Sequence, residues 1–220
     1  MAKAAYSPAI QGLSGKAGGT VYTEGHSGPI AKAYVVGHDP HSAAQRTMRH
    51  WMAVSAGAYR NLTAGQAAAW EVYAASVTRH NSATGRGYHS TAYNAFNGLT
   101  VKFLQANGGG AIPVLPPGSS FNGDTIMVTA LGQSGQVLFR ASGGNGAGIV
   151  TELLLQGLPS PRRKPNVDKY RTQGFIHFGL GILDFGLTAA PGYYAPAVRF
   201  VNAATGQMVG LVTLPIVQVM

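Results

Sequence analysis

One segment of this chain separates two kinds of sequence pattern. Residues 107–124 contain three consecutive glycines and the prolines Pro113, Pro116 and Pro117. Glycine destabilises helices, and proline interrupts both helices and central strands, so neither element can pass through this segment. Apolar residues recur at helical spacing before it and form short β-rich runs after it. The sequence therefore predicts a multidomain α+β protein with a linker at residues 108–123.

The region before the linker, residues 40–107, has the pattern of three helices. The first is indicated by an apolar stripe on one helical face, which comprises Met48, Trp51, Met52, Ser55, Tyr59 and Leu62. Asp39 and Ser42 are both suited to cap its start. Thr63 and Gln66 have the spacing of a capping box, which predicts the start of the second helix.

The second and third helices complete a small three-helix bundle. The second helix follows the first after a short turn, so we expect Trp51 and Trp70 to form the core of an antiparallel helical hairpin. The third helix begins at Ser90 or Thr91 and is stopped by Asn107-Gly108.

Residues 1–39 are glycine-rich and contain one clear hairpin. Strand-like runs at 20–24 and 29–36 flank a turn at 25–28. An isolated hairpin is only marginally stable in water, so it needs a sheet or another chain beside it. We therefore predict an extended arm that binds neighbouring subunits by strand addition. The residues predicted to make this contact are Val21, Tyr22, Ile30, Tyr34 and Val35.

The remaining residues, 124–220, are predicted to be entirely β. Short apolar runs alternate with glycine-containing turns and lie at 125–131, 136–142, 148–156, 174–180, 195–203 and 207–219. About 100 residues with about seven strands is the size of an immunoglobulin-like or fibronectin-like sandwich, and we predict that fold for this domain.

The chain carries few charges, and its net positive charge follows from a shortage of acids. It has 16 lysine and arginine residues against 7 aspartate and glutamate residues, and its formal net charge is +9 at pH 7. Charged residues make up 10% of the chain, whereas an average soluble domain has about 25%. A subunit whose faces are covered by neighbours needs less surface charge than a free protein. The low charge therefore favours a protein that functions in an assembly.

Two basic clusters are candidate contacts for a polyanion such as nucleic acid. Arg46 and Arg49 lie on the predicted first helix, opposite its apolar stripe. Five further basic residues lie in one proline-flanked segment, namely Arg162, Arg163, Lys164, Lys169 and Arg171. Neither cluster is interleaved with exposed aromatic residues, as single-strand binders are. We therefore favour a solvated helix face and an exposed connection over nucleic-acid contacts.

No catalytic or cofactor motif is found in the sequence. The chain has no cysteine, its seven acids are scattered singly, and no Gly-x-Ser-x-Gly motif occurs. Gly15-Lys16 lacks the hydroxyl residue that follows lysine in a phosphate-binding loop. His38, Asp39 and His41 are close in sequence, but their spacing pairs them with no further ligand. We predict no enzymatic activity, no cofactor and no metal.

The sequence also predicts no membrane contact. The N terminus lacks the apolar run of a signal peptide, and no run reaches the roughly 18 apolar residues that a spanning helix needs. We expect a protein that is kept, or assembled into a larger structure, in a cytoplasm.

Several of these motifs occur together in one known group of proteins. They include Ala44, Gln45, Arg49, Leu62, Thr63, Gln66, Trp70, Asn94 and Phe96. With the glycine-rich hairpin before them, over about residues 12–104, they resemble a family of small structural proteins of tailed phages and prophages. Ala33 departs from the pattern, because the family usually has an arginine near this position.

The resemblance implies a virion-associated structural protein, assembled in the host cytoplasm, whose partners are other virion proteins and copies of itself. We expect an accessory or decoration subunit of the head or tail that binds neighbours through its N-terminal arm. Two alternatives stay open at this point. One is a basic DNA-binding or packaging-associated protein, and the other is a self-polymerising filament subunit.

Overall fold

The structure is a computed structural model of the 220-residue chain, and it describes residues 2–3, 14–25, 28–36, 41–80, 87–179 and 181–220. Helices and antiparallel sheets are both present, so the predicted mixed α+β class is confirmed. The chain forms two compact units, Met1–Ala43 and Ala44–Met220.

The described part of the Met1–Ala43 unit is a four-stranded antiparallel sheet. The strands are β1 (Ala2–Lys3), β2 (Gly15–Ala17), β3 (Thr20–Gly25) and β4 (Gly28–Ala33). Their order is β1-β4-β3-β2. β3 and β4 form the predicted hairpin, which is paired from Thr20 opposite Ala33 to Gly25 opposite Gly28.

This sheet differs from the prediction of an extended arm without partner strands nearby. β2 folds back on β3, and β1 adds to the other edge at β4. The turn between β2 and β3 passes through Gly18, whose φ of +56° suits glycine. Pairing on both sides stabilises a hairpin that would be marginal alone.

Local capping residues set the ends of the helices. The helices are α1 (Ala43–Arg60), α2 (Ala64–Ser76) and α3 (Ala92–Asn107). Thr63 and Gln66 exchange side-chain to backbone hydrogen bonds, so the predicted capping box is confirmed. Thr91 caps the start of α3, and Gly108 ends it with a φ of 66°. Asp39, one of the predicted caps of α1, lies outside the described residues.

The helical core forms around Trp70 and Phe96. Both are buried, and their ring centroids are 5.1 Å apart. Trp51 is only half-buried and lies outside this core, and Met52 is 57% exposed. The prediction that Trp51 is the core partner of Trp70 is therefore wrong.

The contact between α1 and α3 explains the position of Trp51. Ser55 Oγ donates to Asn97 Oδ1 at 2.5 Å, and the ring centroids of Tyr59 and Phe96 are 5.4 Å apart. These residues lie one turn apart and form a narrow stripe. Trp51 lies on the same side of α1, one turn before Ser55 and beyond these two contacts, and it is only partly covered.

Antiparallel strands make up the rest of the chain. The strands are β5 (Thr78–His80), β6 (Gly87–His89), β7 (Val128–Gln133), β8 (Gln136–Ala141), β9 (Ile149–Leu158), β10 (Arg171–Ile176), β11 (Asp184–Thr188), β12 (Gly192–Asn202), β13 (Val212–Thr213) and β14 (Val217–Val219). A 3-10 helix spans Val167–Lys169. β5 and β6 form a ribbon between α2 and α3. The others form one sheet in the order β10-β9-β12-β13, with β14 also paired to β12, and a second in the order β11-β8-β7.

All six predicted β runs overlap strands, but β11 was not predicted. Its sequence, DFGLT, contains an acid and a glycine, both of which are depleted in strands. β11 is held in strand conformation by its pairing with β8, which runs from Asp184 opposite Arg140 to Thr188 opposite Gln136.

A buried apolar core lies between these two sheets. Val137 and Phe139 of β8 cluster with Leu153 of β9 and with side chains of β7, β12 and β14. On one side of this core, the backbones of β7 and β14 lie very close together. A Cβ at Gly132 of β7 would overlap the carbonyl oxygen of Gln218 in β14. Only glycine permits this approach of the two backbones.

The central strand β9 is buried on both faces. Leu153 and Leu155 belong to the core between the sheets. Leu154 and Leu158, which point to the other face, cluster with Tyr170 and with side chains of β12. Side chains on this second face of β9 are therefore enclosed, although they lie outside the main core.

The glycine- and proline-rich segment 108–123 is packed against the helices. Trp70 Nε1 donates to the carbonyl oxygen of Val114 at 3.0 Å. Asn107 Nδ2 joins α3 to the region after β12, because it donates to Ala203 O at 2.8 Å. Ala44–Met220 is thus one compact unit in this structure. The predicted division into a helical domain, a linker and a β domain stays a prediction.

Candidate functional site

The first candidate surface is the exposed segment 34–36, which follows β4. Tyr34 N donates to Gly19 O at 2.7 Å, so the ladder continues one residue beyond the strand. Tyr34, Val35 and Val36 are 44%, 79% and 73% exposed. Lys16 Nζ lies 3.5 Å from the centroid of the Tyr34 ring and covers one face of it. Consecutive exposed apolar side chains of this kind are typical of protein contacts.

The residues predicted for the arm contact fall into two groups. Tyr34 and Val35 belong to the exposed segment, whereas Val21, Tyr22 and Ile30 are half-buried in the four-stranded sheet. Val36 was missed, although it directly continues the apolar run. The binding role of all these residues stays a prediction.

The second candidate surface is the basic loop that joins β9 to β10, residues 159–170. Asn166 N donates to Gln156 Oε1 at 2.9 Å, and Asp168 N donates to Asn166 Oδ1 at 2.9 Å. Tyr170 is buried at the end of the loop. These contacts fix the backbone from which the basic side chains extend.

The basic side chains in and next to this loop differ in the hydrogen bonds that they make to the protein. Arg162, Arg163 and Lys164 are exposed and line an open depression of about 580 Å³. Lys169 is exposed as well. Arg171 instead donates from Nη1 to two backbone carbonyls of the loop, at 3.0 and 3.1 Å. The structure therefore places Arg162, Arg163 and Lys164 around one depression. The guanidinium of Arg171 instead holds the backbone of the loop.

The other predicted cations, Arg46 and Arg49, lie on α1. Both side chains are exposed. At the end of the same helix, Arg60 Nε donates to Ala56 O at 3.3 Å. The candidate polyanion contacts therefore belong to two different elements of the chain. Their role in binding stays a prediction.

A buried ion pair connects α3 to the second face of β9, and sequence reasoning missed it. Lys102 Nζ lies 2.8 Å from Glu152 Oε1, and the Thr172 hydroxyl donates to the same oxygen at 2.5 Å. Arg199 Nη1 is 3.8 Å from Glu152 Oε2. Lys102 Nζ also lies 5.4 Å from the ring centroid of Phe175. The signal in the sequence was a single acid inside an apolar run.

Burial dominates the electrostatics of this pair. Desolvation lowers the pKa of Lys102 from its ordinary value of 10.5, since the apolar surroundings penalise the ammonium. The attraction and hydrogen bond of Glu152 oppose this shift, whereas the charge of Arg199 adds to it. The Lys102 ammonium is therefore stabilised in this site mainly by one carboxylate. Its surroundings are side chains of α3 and the sheet, so the arrangement is a structural link between them.

Other observations concern membranes and metals. Within the described parts of the chain, no helix is long and apolar enough to span a membrane. Nor do those parts contain a group of three His, Cys, Asp or Glu side chains that could hold a metal ion. His38 and Asp39, from the cluster noted in the sequence, lie outside them.

Comparison of the chain with models of known protein families, with characterised proteins and with solved structures found no match.

Proposed function

We propose that this chain is a non-enzymatic structural subunit of a tailed-phage virion, an accessory or decoration protein of the head or tail. It binds neighbouring subunits through its Met1–Ala43 unit. The observation that carries the proposal is a compact sheet, distinct from the larger unit, that leads into the exposed segment 34–36. An exposed apolar run beside a sheet suits docking against another protein chain.

The geometry of the N-terminal sheet also supports this role. Among the described residues, the outermost strands β1 and β2 have only two and three residues, so much of each edge of the β3–β4 hairpin has no partner strand there. The backbone groups of such an edge can accept a strand from a neighbour.

We extend the proposal to the finer fold of the larger unit. The helices would correspond to the three-helix bundle of the phage family, and β7–β14 to an immunoglobulin-like or fibronectin-like sandwich. Support comes from the core shared by the two sheets and from the motif residues of the resemblance. Thr63 and Gln66 cap α2, and Trp70 and Phe96 form the helical core.

Matched valine substitutions test the proposed binding surface. Val36→Asp places a charge in the exposed segment 34–36, and Val72→Asp makes the same change on α2, where the side chain is 72% exposed. We expect Val36→Asp to reduce incorporation into particles at least about tenfold, since burying a valine contributes about 1.5–3 kcal/mol. Val72→Asp should leave incorporation unchanged. The measurement is co-sedimentation of each variant with assembled particles.

Removal of residues 1–38 provides the stronger form of the same test. The truncated chain should keep the circular dichroism and unfolding transition of the larger unit but should not enter particles. Normal incorporation of a folded, truncated protein would contradict the proposed function.

The basic loop favours one alternative, a DNA-binding or packaging-associated protein. For that function, fluorescence anisotropy should detect duplex DNA binding at low salt, with an affinity that falls steeply as salt rises. Replacing Arg162, Arg163 and Lys164 with serine should reduce the slope of log affinity against log salt by about three. Replacing Arg46 and Arg49 provides the comparison for the second cluster. Absence of binding at low salt would dispose of this alternative.

A further inference from the structure

The strand β11 has a regular hydrogen-bonding pattern on one side. At one end Ala141 N donates to Leu183 O at 2.8 Å, and at the other Ala189 N donates to Gly135 O at 3.0 Å. Residues along an antiparallel strand bond alternately to one side and the other. The odd-numbered residues from 183 to 189 therefore bond to β8.

No strand in the described part of the chain pairs with the opposite edge of β11. By the same alternation, the N–H and C=O groups of Asp184, Gly186 and Thr188 point away from β8. All three residues are exposed, and β11 is the terminal strand of its sheet. The edge thus offers three donors and three acceptors in a regular row, since the pairing of β11 with β8 contains no bulge.

Other strands of five or more residues in the described part of the chain lack such an edge. β10 is interrupted by a register shift between Thr172 and Gly174 and begins at Arg171, and bulges and charges both disfavour pairing with another chain. β7 has the backbone of Gln218 against Gly132. β1 and β2 cover part of the outer edges of β4 and β3, and the remaining long strands are internal to their sheets. β11 is therefore the best-formed open edge among these strands.

The sequence of β11 is self-complementary in the antiparallel direction. A twofold axis at Gly186 places Asp184 of each copy opposite Thr188 of the other. All three outward-bonding positions then pair with one another, and up to about six backbone hydrogen bonds form. No like charges face each other, and the Thr188 hydroxyl can donate to the opposing carboxylate. A twofold contact of this kind needs only one surface patch on each subunit.

We propose that two copies of this chain pair through β11 and join their β11-β8-β7 sheets into one six-stranded sheet. The contact is short, so it is weak in dilute solution and becomes significant where subunits are held at high local concentration. It uses a different surface from the exposed segment 34–36 and does not rest on the proposed function.

Opposite charges at position 188 test this register. Thr188→Asp creates two Asp–Asp pairs in the dimer, whereas Thr188→Lys creates two Lys–Asp pairs. Thr188 is exposed, so both variants should unfold at the temperature of the parent protein. In sedimentation equilibrium of the full chain up to about 1 mM, we expect a dimer that Thr188→Asp weakens about tenfold. Thr188→Lys should dimerise as tightly as the parent or more tightly.

Three results would overturn the proposal. The first is a parent protein that stays monomeric over the whole concentration range. The second is equal dimerisation of the two variants at position 188. The third is a dimer that survives both substitutions and is lost when residues 1–38 are removed, which would assign association to the N-terminal unit.

The absence of cysteine from the chain allows an independent test by cross-linking. Cα atoms of a hydrogen-bonded antiparallel pair lie about 5.5 Å apart, which is within the range of a disulfide. Gly186→Cys should therefore form a disulfide-linked dimer in a glutathione buffer once the flexible Gln136 side chain moves aside. Gly157→Cys, at an exposed position on the internal strand β9, is the control and should stay monomeric. Equal cross-linking of the two variants would contradict pairing through β11.

Discussion

Replacing Glu152 with leucine is expected to lower the free energy of unfolding by about 3–5 kcal/mol. The Glu152 side chain is 1% exposed and is 2.8 Å from the Lys102 ammonium. Without the carboxylate, Lys102 must either stay charged in apolar surroundings or lose its proton, and Arg199 loses its only nearby acid in the described structure. Both changes are unfavourable because buried charges need partners. Urea denaturation followed by circular dichroism measures the loss.

Two further variants show whether burial causes this effect. Arg140→Gln removes an ion pair of the same 2.8 Å length whose side chains are about half exposed, and it should leave the free energy of unfolding nearly unchanged. The double variant Lys102→Met/Glu152→Leu replaces the buried pair with apolar groups and should recover the part of the loss that comes from Lys102, while Arg199 still lacks its acid. A Glu152→Leu effect as small as that of Arg140→Gln would show that the buried pair does not support the fold.

Gly206→Ala is expected to destabilise the larger unit by about 3 kcal/mol or more. Gly206 has a φ of +72°, and an added Cβ would overlap the carbonyl oxygen of Leu99 and lie 2.8 Å from Phe103 N. Both of these atoms belong to the backbone of α3, which cannot rotate away as a side chain can. With alanine at position 206, α3 must therefore move away from the turn after β12. The midpoint and slope of chemical unfolding measure the result.

Gly135→Ala separates backbone strain from this clash. Gly135 also has a φ of +72°, but a Cβ there would have no atom within 4 Å. Its substitution should therefore show only the cost of the left-handed conformation, about 1–2 kcal/mol. The difference between the two alanine variants measures the contact between Gly206 and α3. Equal losses would mean that this contact is loose.

The features that follow from neighbouring residues could be predicted from the sequence. The capping box of Thr63 and Gln66, and the glycine that ends α3, depend on residues within one or two turns of the helix ends. The β3–β4 hairpin likewise joins two runs separated by a short turn. In each case the residues that form the structure are adjacent in the chain.

The features that were missed depend on residues distant in sequence. Trp51 has the spacing of a core residue, but how far the contact with α3 extends along α1 decides how much of it is covered. Lys102 and Glu152 are 50 positions apart, and although Glu152 stands in an apolar run, nothing local to either residue identifies its partner. β11 becomes a strand through its pairing with β8, 44 positions earlier at Arg140.

For the candidate surfaces, the sequence predicted which residues are basic or apolar but not the contacts that they make. The basic loop was evident from its charges, but the backbone contacts that tie down Arg171 depend on the fold. In the N-terminal unit, alternation predicted the strands of the hairpin. It could not predict that β1 and β2 would pair with them, because both are short and consist of alanine, lysine and glycine, which have little β propensity.

The packing of α3 against Gly206 also constrains the order of events during synthesis. A ribosome makes α3 about 100 residues before the turn that covers Leu99, and Arg199 emerges well after Lys102. Until then the side of α3 that contacts this turn has no partner there. In a nascent chain, α3 therefore reaches its final packing only when β12 and the turn after it have been synthesised. Folding of the larger unit is completed after translation of its last strands, not helix by helix as they appear.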